Sequence, residues 1–389
     1  MAAVQAVGGE KADGDEPRHI AFVIAGLSAG GAERVISIIA GHWVAQGRRV
    51  TVVTFDRDGD PIFHPLDPRV RLVRLGLPPE AGRPWRVVAR VAALRRALAS
   101  VRPDVTISFL TKINVLTLLA SIGTGRRVIV SERNNPRAQN AAPVWNRLLA
   151  GLHWRAETIV MQTEASLACL APRARKRARV IANPIAVPAN GDRQTDSHVL
   201  TAVGRLTHQK GFDLLIRAFG AVADKHPDWR LRIWGEGEMR PLLEAEVAEG
   251  RLGERVDLPG NSNGPAEWIG DAGAFVLSSR YEGFTNVLGE AMAAGLPAVS
   301  FDCDYGPAVL IRDEVDGLLV EPGDVAALGR ALDRLMGDAA LRARLGQAAR
   351  TSAQRFAPAR ITAEWDKLLP RRQGRLNKQG SPPASVASA

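Results

Sequence analysis

Residues 278–307 read Ser-Ser-Arg-Tyr-Glu-Gly-Phe-Thr-Asn-Val-Leu-Gly-Glu-Ala-Met-Ala-Ala-Gly-Leu-Pro-Ala-Val-Ser-Phe-Asp-Cys-Asp-Tyr-Gly-Pro, and the chain is organised around them. The apolar run at 274–277 predicts a buried strand, and Asn286 is the expected N-cap of a helix that ends at Gly295. Glu282 lies in the loop and Glu290 about one turn inside the helix. A helix start favours phosphate and carboxylates bind hydroxyls, so the stretch predicts a nucleotide-sugar site.

Strand and helix signals alternate along the rest of the chain. Predicted strands lie at 19–25, 50–55, 70–75, 105–110, 128–132, 158–163, 198–203, 229–234 and 256–258. Predicted helices include those at 32–46, 213–225, 238–252, 324–336 and 339–356. This rhythm is typical of parallel α/β sheets, which bind ligands at the carboxyl ends of their strands.

Several short motifs accompany the central stretch in a fixed order. They are Gly30-Gly31-Ala32-Glu33-Arg34, Asn183-Pro184, Gly204-Arg205-Leu206 with Lys210-Gly211, Gly235-Glu236-Gly237, and Arg-Tyr-Glu-Gly-Phe-x-Asn-Val-x-x-Glu-Ala at 280–291. With two glutamates separated by seven residues, this set of motifs resembles that of the retaining GT-B glycosyltransferases of family 4, also called glycosyl transferases group 1. The resemblance runs from about Ile20 to Trp365 and includes enzymes of bacterial polysaccharide and glycan biosynthesis.

The resemblance implies two Rossmann-like parallel-sheet domains that face a central cleft. We predict the following division: a disordered leader at 1–17, an N-terminal acceptor domain at 18–183, a linker at 184–197, a nucleotide-sugar domain at 198–357, and a disordered tail at 371–389. A final helix at 358–370 is expected to cross back and complete the first domain.

The resemblance also assigns roles to residues. Arg205 and Lys210 are expected to hold the donor diphosphate, since two cations stabilise the charge on a departing nucleoside diphosphate. Together with Glu282, which binds donor-sugar hydroxyls, they are the catalytic candidates, and Glu290 is expected to bind the ribose. The other donor-binding candidates are Gly30, Gly31, Gly235, Gly283, Phe284, Thr285, Asn286 and Val287.

Acceptor-side candidates lie in the first half. Arg133 and Asn134 follow a predicted strand, although the asparagine also suits an ordinary loop before a proline. Many relatives place a donor-facing histidine after the strand at 105–110, where this chain has Leu110-Thr111-Lys112 instead. Lys112 and Asn114 are the nearest polar candidates for that contact.

The implied reaction is transfer of a hexose-type sugar (glucose, galactose or an N-acetyl derivative) from a nucleoside-diphosphate sugar to an acceptor hydroxyl. Resemblance alone favours uridine as the base and a lipid-linked glycan of cell-surface polysaccharide biosynthesis as the acceptor. No metal or other cofactor is expected, because the leaving phosphate itself can take the acceptor proton, and Asp302-Cys303-Asp304 matches a metal motif in spelling only. A sugar-nucleotide epimerase or a phosphorylase remains an alternative with the same cleft.

Charge is concentrated in the first half of the chain. Residues 1–183 carry 27 Lys and Arg against 14 Asp and Glu, a net +13, whereas 184–389 carry 24 against 27, within an overall net charge of +10. An anionic partner, such as a lipid surface, a lipid-linked phosphate or nucleic acid, would suit this half, as would an ordinary solvated surface. Nucleic acid is the less favoured partner because aromatic residues are only 5% of the chain.

Location follows from composition and one helix. Two cysteines, no signal peptide and no long apolar run predict a cytoplasmic protein, peripheral at most on the inner face of the membrane. The predicted helix between 83 and 102 places Arg86, Arg90, Arg95 and Arg96 largely off its apolar face, which includes Val88. Such a helix can lie on anionic lipid or simply cover the sheet with a charged outer face.

Overall fold

The computed structural model describes residues 19–28, 30–77, 84–133, 143–186 and 196–369. Within them the chain forms two parallel α/β sheets of seven and six strands, which confirms the predicted pair of Rossmann-like domains. The predicted leader and tail, most of the predicted linker, and Asn134 lie outside the described residues.

The first sheet has the strand order β3-β2-β1-β4-β5-β6-β7, and every pairing is parallel. Its strands are β1 (His19–Ile24), β2 (Arg49–Thr54), β3 (Arg71–Arg74), β4 (Val105–Phe109), β5 (Arg127–Ser131), β6 (Thr158–Met161) and β7 (Ala178–Val180). The central β1 is buried along its whole length because helices cover both of its faces.

The helices of this domain are α1 (Gly31–Ala45), α2 (Pro84–Val101), α3 (Thr111–Ser121), α4 (Pro143–Leu152) and α5 (Pro172–Arg175). The apolar faces of α1 and of α2 with α3 cover opposite sides of β1, and their core residues fall into two separate apolar clusters. A third cluster fills the space between α3, α4 and the strands β5 and β6.

The second sheet has the order β10-β9-β8-β11-β12-β13, again parallel throughout. Its strands are β8 (Val199–Val203), β9 (Arg230–Trp234), β10 (Val256–Gly260), β11 (Ala274–Leu277), β12 (Ala298–Phe301) and β13 (Leu318–Val320). Its helices are α6 (Phe212–Gly220), α7 (Arg240–Glu249), α8 (Pro265–Gly270), α9 (Asn286–Ala293), α10 (Pro307–Leu310), α11 (Val325–Gly337) and α12 (Ala339–Ala353).

The last helix, α13 (Pro358–Asp366), packs against the first domain. Its Asp366 accepts hydrogen bonds from the indole of Trp43 at 2.8 Å and from the guanidinium of Arg48 at 2.6 Å. Trp365 is fully buried beside Phe109, with 5.9 Å between the ring centroids. The helix therefore packs against α1 and against the carboxyl end of β4.

The order in which successive strands are added changes sides at the centre of each sheet, between β1 and β4 and between β8 and β11. Ligands of open α/β sheets bind in the crevice at this switch point, beyond the carboxyl ends of the strands. The Gly30 motif follows β1, the Arg205–Lys210 loop follows β8, and the central stretch follows β11. The predicted motifs thus converge on the two switch points.

Some details differ from the sequence predictions. Residues 171–180 form α5 and the edge strand β7, which are not among the predicted elements, and most of these residues are exposed. On α2 the predicted apolar Val88 is 69% exposed, whereas Arg90 is buried and donates to the carbonyl oxygen of Leu77. One arginine of α2 therefore lies on its buried face. No helix in the described ranges is both long and apolar enough to cross a bilayer.

Candidate active site

The loops after β8 and β11 place a cation against a carboxylate. The Lys210 ammonium donates to Glu282 Oε1 at 2.6 Å, and the Ser279 hydroxyl donates to the same oxygen at 2.6 Å. Glu282 is buried, so this carboxylate is positioned by two donors rather than solvated by bulk water. The other oxygen, Oε2, is left to accept from a ligand hydroxyl.

Arg205 lies on the same loop after β8 as Lys210. Its side chain is exposed, and within the described ranges it makes no ion pair or hydrogen bond. A guanidinium in this state can turn toward an incoming anion without first breaking a bond. The loop thus offers one positioned cation and one that is free to move.

The start of α9 differs in detail from the prediction. Thr285, rather than Asn286, occupies the N-cap position, and its hydroxyl is buried with no hydrogen-bond partner. The Asn286 amide is not free in this structure, because it donates to the carbonyl oxygen of Phe284 at 3.1 Å. The unpaired donor capacity of this helix start therefore lies at the Thr285 hydroxyl and at the amides that follow Asn286.

Glu290 faces the opposite domain and forms an ion pair across the cleft. Its Oε1 lies 2.5 Å from a guanidinium nitrogen of Arg34 on α1, and Glu290 is only 2% exposed. Burial raises the pKa of Glu290 to about 7, although the nearby Arg34 charge works in the other direction. The Gly30–Arg34 motif and the second glutamate of the central stretch are thus in direct contact.

A chain of side-chain amides links the two domains beside this ion pair. Asn286 accepts from the Asn183 amide at 2.7 Å and reaches the Gly31 carbonyl at 3.5 Å. Asn183 in turn accepts from Gln162 at 2.9 Å and from the guanidinium of Arg133. This network explains why Asn286 is not the N-cap of α9: its side chain bonds to the other domain instead of to its own helix.

Arg133 itself is buried rather than exposed on the acceptor side. Its guanidinium stacks over Phe109 at 4.6 Å and Trp365 at 5.4 Å from the ring centroids, and its Nε and Nη2 have no partner. Burial lowers the pKa of Arg133 to about 9. Arg133 therefore holds α13 and Asn183 in place, with two donors left unused.

Two of the predicted glycines lie in close contacts, and at Gly235 the contact requires glycine. A side chain at Gly31 would come within 2.6 Å of the Asn286 amide nitrogen across the cleft. Gly235 has a φ of +140°, and a Cβ there would lie 1.9 Å from the carbonyl oxygen of Gly204. Gly235 thus lets the β9 loop pack on the β8 loop that carries Arg205 and Lys210. Gly30 precedes α1 as its N-cap residue.

The other acceptor-side candidates divide into one buried and one exposed residue. Asn114 is fully buried, accepts from the Ser108 hydroxyl at 2.7 Å, and donates to the Ser131 carbonyl and to Glu132. It therefore has a structural role rather than the expected contact with the donor. Lys112 is exposed on the first turn of α3.

Side chains that could bind a metal do not cluster in the part of the cleft that the structure describes. Among the residues that the structure describes, no three His, Cys, Asp or Glu side chains lie close enough together to hold a metal ion. Cys303, in the motif Asp302-Cys303-Asp304, is buried, and burial raises the pKa of its thiol to about 12.

Two known protein families match this chain, one over each domain. Residues 30–186 match the glycosyl transferase 4-like domain, and residues 187–352 match the family described as glycosyl transferases group 1. The chain belongs to the group 1 glycosyltransferases. The boundary between the two matched domains falls just after Asn183 and Pro184, where the first sheet ends.

Relatives of this glycosyltransferase act in bacterial glycan synthesis. It is 28% identical over 365 residues to a Campylobacter jejuni N-acetylgalactosaminyltransferase named for a GalNAc-containing undecaprenol-diphosphate glycan, covering 90% of this chain and 98% of that one. It is 34% identical over 284 residues to a Streptomyces coelicolor exopolysaccharide phosphotransferase, but these cover 71% of this chain and only 29% of the other protein.

The fold is shared with solved GT-B structures. Anabaena HepE in complex with UDP and glucose superposes with a TM-score of 0.77 at 19% identity, covering 90% of this chain and 99% of HepE. At this identity the likeness shows the fold alone. The GT-B architecture predicted from the sequence is confirmed.

Sequence reasoning missed two residues of the glycosyltransferase's cleft, Arg34 and Glu132. Arg34 stood inside a motif without a role, although its ion pair with Glu290 bridges the domains. Glu132 was passed over, yet it is buried, accepts from Thr111 at 2.7 Å and from Asn114 at 2.5 Å, and has its pKa raised to about 7 by burial. A carboxylate directly after β5 was the available signal.

Proposed function

We propose that this chain is a retaining glycosyltransferase that moves a hexose-type sugar from UDP-sugar to a hydroxyl of a lipid-linked glycan in cell-surface polysaccharide biosynthesis. The observation that carries the proposal is the pairing of Lys210 with Glu282 at 2.6 Å, with Glu290 on α9, the helix that follows the Glu282 loop. A cation and two carboxylates at a switch point match the phosphate and hydroxyl groups of a nucleotide sugar.

The roles follow from charge and position. The free oxygen of Glu282 accepts from donor-sugar hydroxyls, beside the amides of Gly283, Phe284 and Thr285, and Glu290 accepts from the ribose hydroxyls. Lys210 has three donors, so it can keep its bond to Glu282 while a second N–H meets the diphosphate. Arg205 approaches the same phosphates from the exposed side of the loop.

The proposed chemistry needs no protein nucleophile. The bond between the anomeric carbon and the phosphate oxygen breaks as the acceptor oxygen bonds to that carbon on the same face. The acceptor proton passes to the departing phosphate oxygen, so the products are the glycoside and UDP. Lys210 and Arg205 stabilise the negative charge that grows on the leaving group, which is the charge a metal would otherwise meet.

Related proteins support the choice of donor and acceptor. The HepE structure holds UDP and glucose, and the Campylobacter relative is named for an undecaprenol-linked substrate. The basic first half of this chain suits an acceptor that carries phosphate on a lipid.

A panel of nucleotide sugars tests the proposal. Purified protein is incubated with uridine, guanosine and adenosine diphospho-sugars, with and without EDTA, and release of nucleoside diphosphate is measured. We expect release from a UDP-sugar that survives EDTA and is lost in Lys210→Ala. The control Lys225→Ala removes an exposed lysine paired with Asp333 on the far side of the domain, and it should keep full activity. An altered sugar still attached to its nucleotide would indicate an epimerase instead.

We further propose that the protein rests reversibly on an anionic membrane through α4. Val144 and Leu148 on this helix and Trp154 just after it are 52%, 44% and 63% exposed. Arg177, just after α5, donates to the Trp154 carbonyl at 2.6 Å, which brings the basic residues around α5 beside Trp154. Aromatic and basic groups side by side are typical of proteins that bind at lipid headgroups.

Vesicle sedimentation separates this surface from the α2 surface predicted from the sequence. Arg90 is buried and Arg95 donates to the Ile122 carbonyl at 2.9 Å, so α2 has fewer free cations than expected. Capture by anionic vesicles at low salt should weaken in Trp154→Ala and remain in the α2 control Arg96→Gln. Equal capture by neutral and anionic vesicles, or none by either, would leave a soluble acceptor as the better explanation.

A further inference from the structure

Hydrogen bonds join the two loops that carry Lys210 and Glu282, in addition to the bond between these two side chains. The main-chain N–H of Arg280 donates to the carbonyl oxygen of Gln209 at 2.8 Å. The side-chain amide of Gln209 donates in return to the carbonyl oxygen of Tyr281 at 3.0 Å. The β8 loop is therefore bonded to the β11 loop at the residues that directly precede Lys210 and Glu282.

The two loops also lie too close for an ordinary side chain between them. A Cβ on Gly211 would lie 2.1 Å from the carbonyl oxygen of Ser278, and Gly211 has a φ of +63°. The Ser278 hydroxyl donates to the carbonyl oxygen of Lys210 at 2.9 Å. The position of the Lys210 main chain thus depends on how the β11 loop is held.

The side chain of Arg280 holds the two loops together. Its guanidinium donates to both carboxylate oxygens of Asp213 on α6, at 2.8 and 2.6 Å, and to the carbonyl oxygen of His208 on the β8 loop at 2.8 Å. Burial acts to raise the pKa of Asp213, but the hydrogen bonds and charge of Arg280 outweigh it and lower this pKa. The carboxylate is therefore charged at neutral pH and fixes the guanidinium in one orientation.

These contacts distinguish Arg280 from Arg205 as a ligand for phosphate. The Arg205 side chain is exposed and can turn toward an anion, whereas the Arg280 guanidinium is held by three hydrogen bonds. Turning Arg280 toward a ligand would take from the buried Asp213 the bonds that offset its desolvation. Arg280 therefore acts on a bound nucleotide through the loops that it holds.

Resting on the proposed glycosyltransferase function, we propose that Arg280 is a positioning residue for the transfer reaction. Its bonds to Asp213 fix the β11 loop against the β8 loop, and this contact sets the Lys210 ammonium beside Glu282 and the departing diphosphate. Without these bonds the loops can shift, and a displacement of about 1 Å at a catalytic group can cost about a hundredfold in rate. A lysine at this position would keep the charge but lose the planar fork that meets both oxygens of Asp213.

Steady-state kinetics and UDP calorimetry on the full chain test this role. Arg280→Lys and Asp213→Asn should each lower kcat at least tenfold, because Lys210 meets charge that grows in the transition state. The Kd for UDP should change less than about threefold. The double variant should lose no more than the more damaging single one, because the two residues act as one unit.

Arg217→Ala is the matched control. Arg217 also bonds to Asp213, at 3.0 Å, but its hydrogen bonds stay within α6 and its other ion pair is with Glu246 on α7. Its removal should leave kcat at the wild-type value. Thermal unfolding shows which variants are folded at the assay temperature, and Asp213→Asn carries the same test if Arg280→Lys is not.

Chemical labelling of Lys210 tests the geometry without any substrate. The protein is treated with a trace of an amine-reactive reagent, and mass spectrometry gives the labelling rate of Lys210 relative to Lys225, whose side chain is 64% exposed. In the wild type Lys210 should label slowly, because it is held against Glu282 and its side chain is only 16% exposed. The rate should rise several-fold in Arg280→Lys and stay unchanged in the control.

The outcomes separate the positioning role from the proposed function. Wild-type kcat or wild-type labelling of Lys210 in folded Arg280→Lys and Asp213→Asn refutes the positioning role while the proposed function stands. The same holds if Arg217→Ala has equal effects, or if kcat and UDP affinity fall by similar factors, since Arg280 would then bind the nucleotide itself. If the wild type releases UDP from no nucleotide sugar, the proposed function fails and the catalytic role of Arg280 with it, and labelling alone then shows whether Arg280 holds Lys210 in place.

Discussion

Replacing Glu290 with glutamine should weaken nucleotide binding through the ribose and leave the fold nearly intact. The substitution keeps the size of the side chain and removes its charge. Arg34, the partner that loses its carboxylate, has a side chain that is 22% exposed and can turn to water. The desolvation that raises the pKa of Glu290 opposes the loss of its ion pair, so we expect the unfolding free energy to change by no more than about 1 kcal/mol in either direction.

The binding loss is larger because Glu290 itself is buried. A hydrogen bond to a charged group contributes about 1.5–3 kcal/mol, and a neutral amide oxygen retains part of that. With two ribose hydroxyls the loss is about 2 kcal/mol, so the Kd for UDP should rise about thirtyfold.

Calorimetry with two ligands isolates this contact. The wild type should prefer UDP to 2′,3′-dideoxy-UDP by at least this factor, and Glu290→Gln should lose about thirtyfold of that preference. A comparison across protein and ligand together removes indirect effects of the mutation. Glu244→Gln, an exposed glutamate on α7, serves as the control and should keep the wild-type preference. An undiminished preference for UDP in Glu290→Gln would refute the ribose assignment.

Three further outcomes follow from the same side chains. Arg205→Ala and Lys210→Ala should each lower kcat about a hundredfold or more in steady-state assays, because the charge they meet grows in the transition state; an effect confined to KM would contradict this role. Arg34→Ala removes the ion-pair partner of the buried Glu290, whose pKa is already about 7. The unfolding free energy measured in urea should therefore fall by about 3 kcal/mol at pH 8 and by less at pH 6, where Glu290 can be protonated. Equal losses at the two pH values would contradict the buried pair. Burial raises the pKa of Glu132 from 4.5 to about 7, so its contribution to stability is present at low pH and disappears as pH rises through 7. Between pH 5 and 8 the unfolding free energy of the wild type should therefore fall by about 3 kcal/mol more than that of Glu132→Gln. Parallel plots of unfolding free energy against pH for the two proteins would argue against this pKa shift.

The sequence predicts the parts of this fold that depend on local pattern. Short apolar runs such as 19–25 and 274–277, flanked by helical stretches, indicate buried strands. Both form the expected parallel strands. The edge strand β7 escaped prediction because its short Ala-Arg-Val sequence sits in a run of arginines, where charge conceals alternation. Only pairing with β6 identifies it as a strand.

Contacts between distant segments could not be predicted in the same way. Arg34 and Glu290 belong to different domains, and their contact depends on how the two sheets face each other. The inward orientation of Asn114 depends on the buried Glu132 that it meets, which lies on another strand-end loop. The motifs therefore identified which residues matter, but pairings such as these needed the assembled fold.

The configuration of the released sugar tests the central claim most directly. The protein is incubated with the UDP-α-sugar that it turns over, without acceptor, and the anomeric proton signals are followed by NMR before mutarotation mixes the anomers. Water then takes the place of the acceptor hydroxyl on the same face of the sugar. The account predicts that the α anomer appears first, together with UDP, and that Lys210→Ala releases neither. The β anomer appearing first, or no UDP from any nucleotide sugar, would contradict retaining transfer at this site.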